Sequence, residues 1–374
     1  MNEIPETGDV PVDTPPAPDA PPPAPAETAE LDTHRFIFSG DTWEYFRIWI
    51  VNLALGIVTL GVYSAWAKVR TQRYFYSHTR LAGAPFEYLA QPLPILKGRI
   101  IAVVLFGGYL LASEFMPLLA LVLIVVISLA TPWLVVRGLM FRARYASWRG
   151  LTFRFVGDYG DAIRYFFLMY MLVPLTLGLI YPYIKYKQKD FIVANHRYGG
   201  KRFTFGTDAS PFFGPYLVVG FSIGALIALL VLVVMPAAMG MYASSDAHEA
   251  SARAQLFAYA YIGTLYLAYF LGWTYLSARV GNLVYNHASI DRNRFVSTLR
   301  ARDLLWLYAS NTVAILASVG MLIPWAMMRL ARYRAAHLTL LADGDLDAFT
   351  AEATPNVGAA ASEVDGLFDV DIGL

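Results

Sequence analysis

Residues 183–206 read YIKYKQKDFIVANHRYGGKRFTFG. The stretch opens on an aromatic residue, Tyr183, carries a base four residues on at Lys187, and reaches Phe191 one helical turn later. Neighbours three and four apart share a helix face, so these side chains line one side of a helix. Past Asn195 the spacing changes. The runs HRY and KRFTF flank Gly199-Gly200, which predicts a tight turn and a β-hairpin.

The arrangement recurs. Residues 40–88 align with 157–205 at a constant offset of 117. Gly40 matches Gly157, Thr59-Leu60-Gly61 matches Thr176-Leu177-Gly178, Lys68 matches Lys185, Tyr74 matches Phe191, and Gly83 and Phe86 match Gly200 and Phe203. The later half of the unit appears five times, the mark of a repeat architecture. An aromatic closes the apolar segment at Trp66, Trp133, Tyr183, Tyr275 and Trp325. The base four residues on is Arg70, Arg137, Lys187, Arg279 or Arg329. Phe86, Phe153, Phe203 and Phe295 then read as strand, whereas the fifth copy has Asp345 and reads as degenerate.

The chain has 374 residues, 57% hydrophobic and 15% charged, against about 25% charged in an ordinary soluble domain. A disordered, collagen-like or nucleic-acid-coating protein is excluded, and a soluble enzyme nearly so. With no cysteine there is no disulfide framework, thiolate zinc site or cysteine nucleophile. Residues 1–33 hold eight acids and residues 342–374 eight more, with no Lys or Arg in either, so all 29 bases lie between two acidic ends. Residues 1–33 are rich in proline and acid and read as a disordered tail, 34–352 as the membrane domain, and 353–374 as an acidic C-terminal tail.

Seven apolar segments are long enough to cross a membrane. If all seven crossed, the bases after Lys185 and Arg279 would face outward, against the positive-inside rule. If the segments carrying Gly61, Gly178 and Gly320 dip in and return, four spans remain, about 99–116, 117–136, 215–241 and 255–278. Every base but Arg253 then faces the cytoplasm, 28 of 29, as do both termini. The expected fold is an all-α polytopic membrane protein with four spanning helices, three re-entrant segments and small cytoplasmic β-hairpins; seven spans are the alternative.

The stretch FSGDTWEYFRIWIVNLALGIVTLGVYSAWAKVRTQRYFYSHTRLAGAPFEY at 38–88, together with 183–206, resembles the YjgN-like family of bacterial inner-membrane proteins. The resemblance covers about 35–350, and the ending LFDVDIGL is similar too. It implies an inner-membrane location and no activity.

Candidate sites follow from the breaks and the rim. Irregular backbone at membrane depth survives only inside protein or beside water, so Thr59, Gly61, Thr176, Gly178, Ser318 and Gly320 are candidates to line one cavity, with Asn52 and Asn311 as the polar groups at depth. Close packing of the glycines and helix–helix hydrogen bonds of the asparagines are the plainer alternatives. Trp66, Lys68, Arg70, Trp133, Arg137, Tyr183, Lys185, Lys187, Tyr275, Arg279, Trp325 and Arg329 form a headgroup-level rim that attracts anionic lipids rather than nucleic acid. His78, His287 and His337 share one repeat phase with Asn195, which suits hairpin hydrogen bonds better than a metal site. No catalytic constellation and no cofactor motif is present, so a passive conduit for a small solute is the first expectation, and a lipid- or partner-organising scaffold the second.

Overall fold

The computed structural model describes residues 31–236, 239 and 247–354. Most of the proline-rich tail and the acidic end after residue 354 lie outside the described residues. In chain order the elements are β1 (Asp32–Arg35), β2 (Ile37–Phe38), α1 (Thr42–Val58), α2 (Ser64–Ser77), β3 (Thr79–Leu81), β4 (Ala84–Tyr88), α3 (Pro92–Phe115) and α4 (Pro117–Arg144). Then come β5 (Ala146–Trp148), β6 (Leu151–Phe155), α5 (Tyr159–Phe166), a 3-10 turn (Leu168–Leu172), α6 (Tyr181–Ala194), β7 (His196–Tyr198), β8 (Lys201–Phe205) and α7 (Ser210–Leu229). The last are α8 (Ala247–His287), β9 (Ala288–Ile290), β10 (Asn293–Ser297), α9 (Ala301–Ala317), α10 (Ile323–Ala336), β11 (Leu338–Ala342) and α11 (Leu346–Ala353).

The expectation of an all-α protein with separate small hairpins is overturned. All eleven strands join one antiparallel sheet in the order β1-β11-β10-β9-β8-β7-β6-β5-β4-β3-β2. Its two ends, β1 and β2, are consecutive pieces of chain joined at Phe36, so the sheet curls into a nearly closed barrel. Asp32–Arg35 pair with Ala342–Thr339, and Ile37 and Phe38 pair with Arg80 and Thr79. Curling leaves little free edge to pair with another chain. The hairpins merge because each second strand is five residues long. In β4, Ala84 and Pro85 pair back to β3, and Phe86–Tyr88 pair forward to β5.

This register corrects the fifth repeat. Phe36 N–H donates to Leu338 O (3.1 Å), and Ile37 opposite Arg80 places Phe36 where Phe86 stands in the next unit. The fifth phenylalanine is therefore Phe36, from the other end of the chain. Asp345 is instead the N-cap of α11, accepting from Asp347 N (2.9 Å) and Ala348 N (3.4 Å).

A single sheet also dictates what the helices do. Each helical segment starts and ends at the sheet, so it must turn back on itself. The result is five helical hairpins, short and long in alternation: α1/α2, α3/α4, α5 with α6, α7/α8 and α9/α10. Among the described residues four helices are long and apolar enough to cross a membrane, in Pro92–Phe115, Pro117–Arg144, Ser210–Leu232 and Gln255–His287.

The barrel is filled. Leu81, Trp148, Tyr198, Ile290 and Leu340 are buried inside it, with Phe36, Phe86, Phe153, Phe203 and Phe295 packed against them. Ring centroids of Phe36–Phe86, Phe153–Phe203 and Phe203–Phe295 lie 6.1, 6.5 and 6.2 Å apart. Separations of that size are favourable beyond the area buried.

Candidate functional site: a cationic rim and three helix breaks

The three breaks share one backbone geometry. Leu60 and Gly61 have φ 49° and 89°, Leu177 and Gly178 have 50° and 84°, and Val319 and Gly320 have 51° and 89°. Left-handed residues end a helix, and each glycine N–H reaches back to an orphan carbonyl: Gly56 O (2.7 Å), Val173 O (2.8 Å) and Ile315 O (2.8 Å). The hydroxyls of Thr59, Thr176 and Ser318 then accept from Tyr63 N (2.9 Å), Ile180 N (3.4 Å) and Leu322 N (3.0 Å), capping the returning chain. Each break thus satisfies its own backbone. Its tip points outward: Leu60, Leu177 and Val319 are 95%, 92% and 93% exposed.

Asn52 and Asn311 occupy equivalent, buried positions in the first and fifth units but are not equivalent chemically. Asn311 Nδ2 donates to Ala326 O (3.3 Å), and its Oδ1 accepts from Arg329 (3.0 Å). Among the described residues neither amide atom of Asn52 has a hydrogen-bond partner, which costs on the order of 1–3 kcal/mol.

The rim is assembled as aromatic–cation pairs. Arg137 lies over Trp133 (5.7 Å), Lys187 over Tyr183 (5.9 Å), Arg279 over Tyr275 (5.7 Å) and Arg329 over Trp325 (4.6 Å). The i, i+4 spacing brings ring and charge together. In the first unit Trp66 stacks instead on Tyr63 (6.2 Å), and Arg70 is exposed. A cavity of about 550 Å³ opens beside the rim, lined by Arg302, Asp303, Trp306, Leu307, Arg329 and Tyr333.

Lys185 is held from several sides. Its ammonium donates to Tyr170 OH (2.9 Å) and Gln188 Oε1 (3.2 Å) and sits 5.0 Å from the Tyr181 ring. Burial opposes its charge and is the largest single influence, but Tyr170 and Tyr181 together outweigh it and the pKa is raised. Burial lowers Lys68, helped by Arg99 and Arg142, and it lowers Lys189, helped by Lys185.

The histidines close helices. Nδ1 of His78, His287 and His337 donates to the carbonyl four residues back, at 2.7, 2.9 and 2.8 Å, and Asn195 Nδ2 does the same at 2.8 Å. These bonds use carbonyls that a helix end leaves free.

Helix α11 sits on the turns of the barrel hairpins. Leu346 and Ala353 are buried, Phe349 stacks on Tyr198 (6.0 Å), and Gly200 N donates to Ala353 O (2.7 Å). Asp347 pairs with Arg149, and Glu352 with Lys201 (3.1 Å).

A family model described as a bacterial protein of unknown function, DUF898, matches residues 33–367. The chain belongs to this family. Among family relatives, the inner membrane protein YjgN of Salmonella typhimurium is 27% identical over 360 residues, 84% of this chain and 89% of that protein. The inner membrane protein YjgN of Escherichia coli K12 is 30% identical over 127 residues, 34% of this chain and 32% of that protein. No solved structure matches. DUF898 membership accords with the YjgN-like resemblance read from 38–88 and 183–206.

Several residues that matter here escaped sequence reading. Phe36 lies 50 residues before Phe86, outside the helix–hairpin order of the other copies. Arg99 and Arg142 stand outside the repeated aromatic–base spacing. The signal for α11 was local and available: Asp345 before Leu346 has the form of an N-cap.

Proposed function

We propose that the protein is a non-transporting, non-enzymatic organiser of anionic lipid at the inner face of the bacterial inner membrane. It crosses with α3, α4, α7 and α8 and keeps both termini cytoplasmic. The observation that carries this reading is the rim, where four of the five repeated aromatic–base pairs are cation–π contacts. Aromatic rings at headgroup level anchor a protein in the interface, and clustered bases attract anionic headgroups. Membership of one sheet supports the orientation, because hairpins bonded edge to edge share one side of the membrane. The short helical hairpins then dip into the inner leaflet, with Leu60, Leu177 and Val319 as apolar tips.

The local closure of each break, together with the side chains that fill the barrel, weighs against a common wet cavity. A second reading, a gated conduit along the barrel axis, is favoured by one observation: α11 sits at the mouth, where a removable plug would sit. Reconstitution into vesicles of mixed phosphatidylcholine and phosphatidylglycerol separates the two. The lipid reading expects phosphatidylglycerol enrichment around the protein and solute leakage equal to that of empty vesicles. Protein-dependent flux without enrichment would overturn it in favour of the conduit.

A further inference from the structure

The first and third repeat units treat one lysine in opposite ways. In the third, Lys185 is enclosed by Tyr170, Gln188 and Tyr181, and Tyr181 packs on Tyr216 (5.5 Å). At the offset of 117 the first unit has Lys68, with Leu53, Thr71, Ser64 and Arg99 in those four places. The two groups that held the lysine have become a leucine and a threonine, and the facing tyrosine has become an arginine.

A third cation joins them. Ala65 and Val69 of α2, Ile95 of α3 and Phe141 of α4 form one buried cluster. Lys68 precedes Val69, Arg99 is one turn past Ile95, and Arg142 follows Phe141. Lys68 senses both arginines: burial lowers its pKa first, then Arg99 and Arg142 lower it further. Arg99 donates to Ser64 Oγ, and Arg142 Nε to Gly138 O (3.2 Å). Among the described residues none of the three pairs with a carboxylate, and Lys68 has no hydrogen-bond partner. The cavity beside α9 differs, since Arg302 faces Asp303 (3.7 Å) and Arg329 is bound by Ser310 and Asn311.

Like charges gathered without a counter-charge raise the energy of the empty site and favour an anion. Guanidinium groups match phosphate oxygens in geometry as well as charge. The surface alongside is apolar: Ile100, Val103 and Val104, the next turns of α3, are exposed, which suits acyl chains. We propose that Ser64, Lys68, Arg99 and Arg142 bind the phosphate of a single anionic phospholipid between α2, α3 and α4. The site rests on the lipid-organising reading and adds a defined place and stoichiometry to it.

The test uses the full chain purified in detergent and native mass spectrometry with phosphatidylglycerol, phosphatidylcholine or inorganic phosphate added. One phosphatidylglycerol is expected to be retained at least about tenfold more tightly than phosphatidylcholine. Arg99→Gln with Arg142→Gln removes that preference. Arg292→Gln with Arg294→Gln, which removes the same charge from exposed positions, keeps it. Should the site pair fail to fold, Lys68→Gln alone carries the test, with a several-fold loss expected. Equal loss in the site and control pairs overturns the site and leaves the rim reading standing. Equal binding of the two lipids by the unaltered protein overturns both. Displacement of the lipid by millimolar inorganic phosphate overturns the lipid assignment and makes free phosphate the ligand.

Discussion

The first and third repeat units share a helix break, a helix of 14 residues and a hairpin, yet they use their polar groups differently. The third is self-sufficient: Lys185 is enclosed by its own unit, and its Gly199-Gly200 turn receives α11. The first is open. Among the described residues Lys68 has no hydrogen-bond partner and Asn52 is an orphan, and a Cβ at Gly83 would face open space where one at Gly200 in the third would lie 3.6 Å from Ala353 O. A repeat preserves backbone geometry because every unit must fit the same sheet, which leaves side chains free to diverge toward internal or external partners.

The largest test of this contrast is at the turn. Ala82 occupies in the first unit the place of Gly199 in the third, with φ 48° against 54°. The turn itself therefore tolerates a side chain. What forbids one at Gly199 is Ala353 O, with which a Cβ would collide. Gly199→Ala should lift α11 off the barrel and speed cleavage after Glu352 by a glutamyl endopeptidase about tenfold or more. Ala82→Gly should leave that rate alone, and an unchanged rate in Gly199→Ala would remove the steric argument.

A smaller effect is expected at the lysines. Lys185→Met strands Tyr170 and Gln188 and should cost about 1–3 kcal/mol in thermal unfolding in detergent. Lys68→Met relieves repulsion and should be neutral or stabilising in lipid-free protein. Equal losses at both positions would erase the distinction between the units.

The smallest is a pH effect. His196 Nδ1 donates to Ile192 O (2.6 Å), and in the first unit Thr79 Oγ1 donates to Phe75 O (2.8 Å) in the same place. Burial lowers the His196 pKa, the Ile192 bond opposes it, and Arg142 lowers it further. The folded state therefore binds a proton less readily than the unfolded one, so stability falls as pH drops below the ordinary histidine range. The slope is at most about 1.4 kcal/mol per pH unit for one proton. His196→Thr should flatten the melting profile between about pH 7 and about pH 5 by that contribution. A profile unchanged by the substitution would show that another group titrates there.

Much of this was legible in the chain. The offset of 117, the breaks at Gly61, Gly178 and Gly320, the hairpin at Gly199-Gly200 and the aromatic–base spacing are local patterns, set by neighbours within a few residues. What they conceal is how hairpins combine. Four hairpins read one at a time look like small ornaments on helices. Only the pairing of Phe86–Tyr88 with β5, and its counterparts around the barrel, turns them into one sheet. The three breaks read as candidates for one shared cavity, and what the chain alone does not show is that each glycine N–H bonds back into its own helix.

The sequence by itself determined an apolar membrane protein with a recurring aromatic–base spacing, because hydropathy, helical spacing and turn chemistry act over a few residues. Tertiary structure decided that Phe36 completes the fifth unit across about 300 residues of chain, that α11 sits against the Gly199 turn, and that Lys185 is satisfied while Lys68 is not. Those outcomes depend on which distant groups meet when the barrel closes, and closure is a property of the whole ring that no single unit carries.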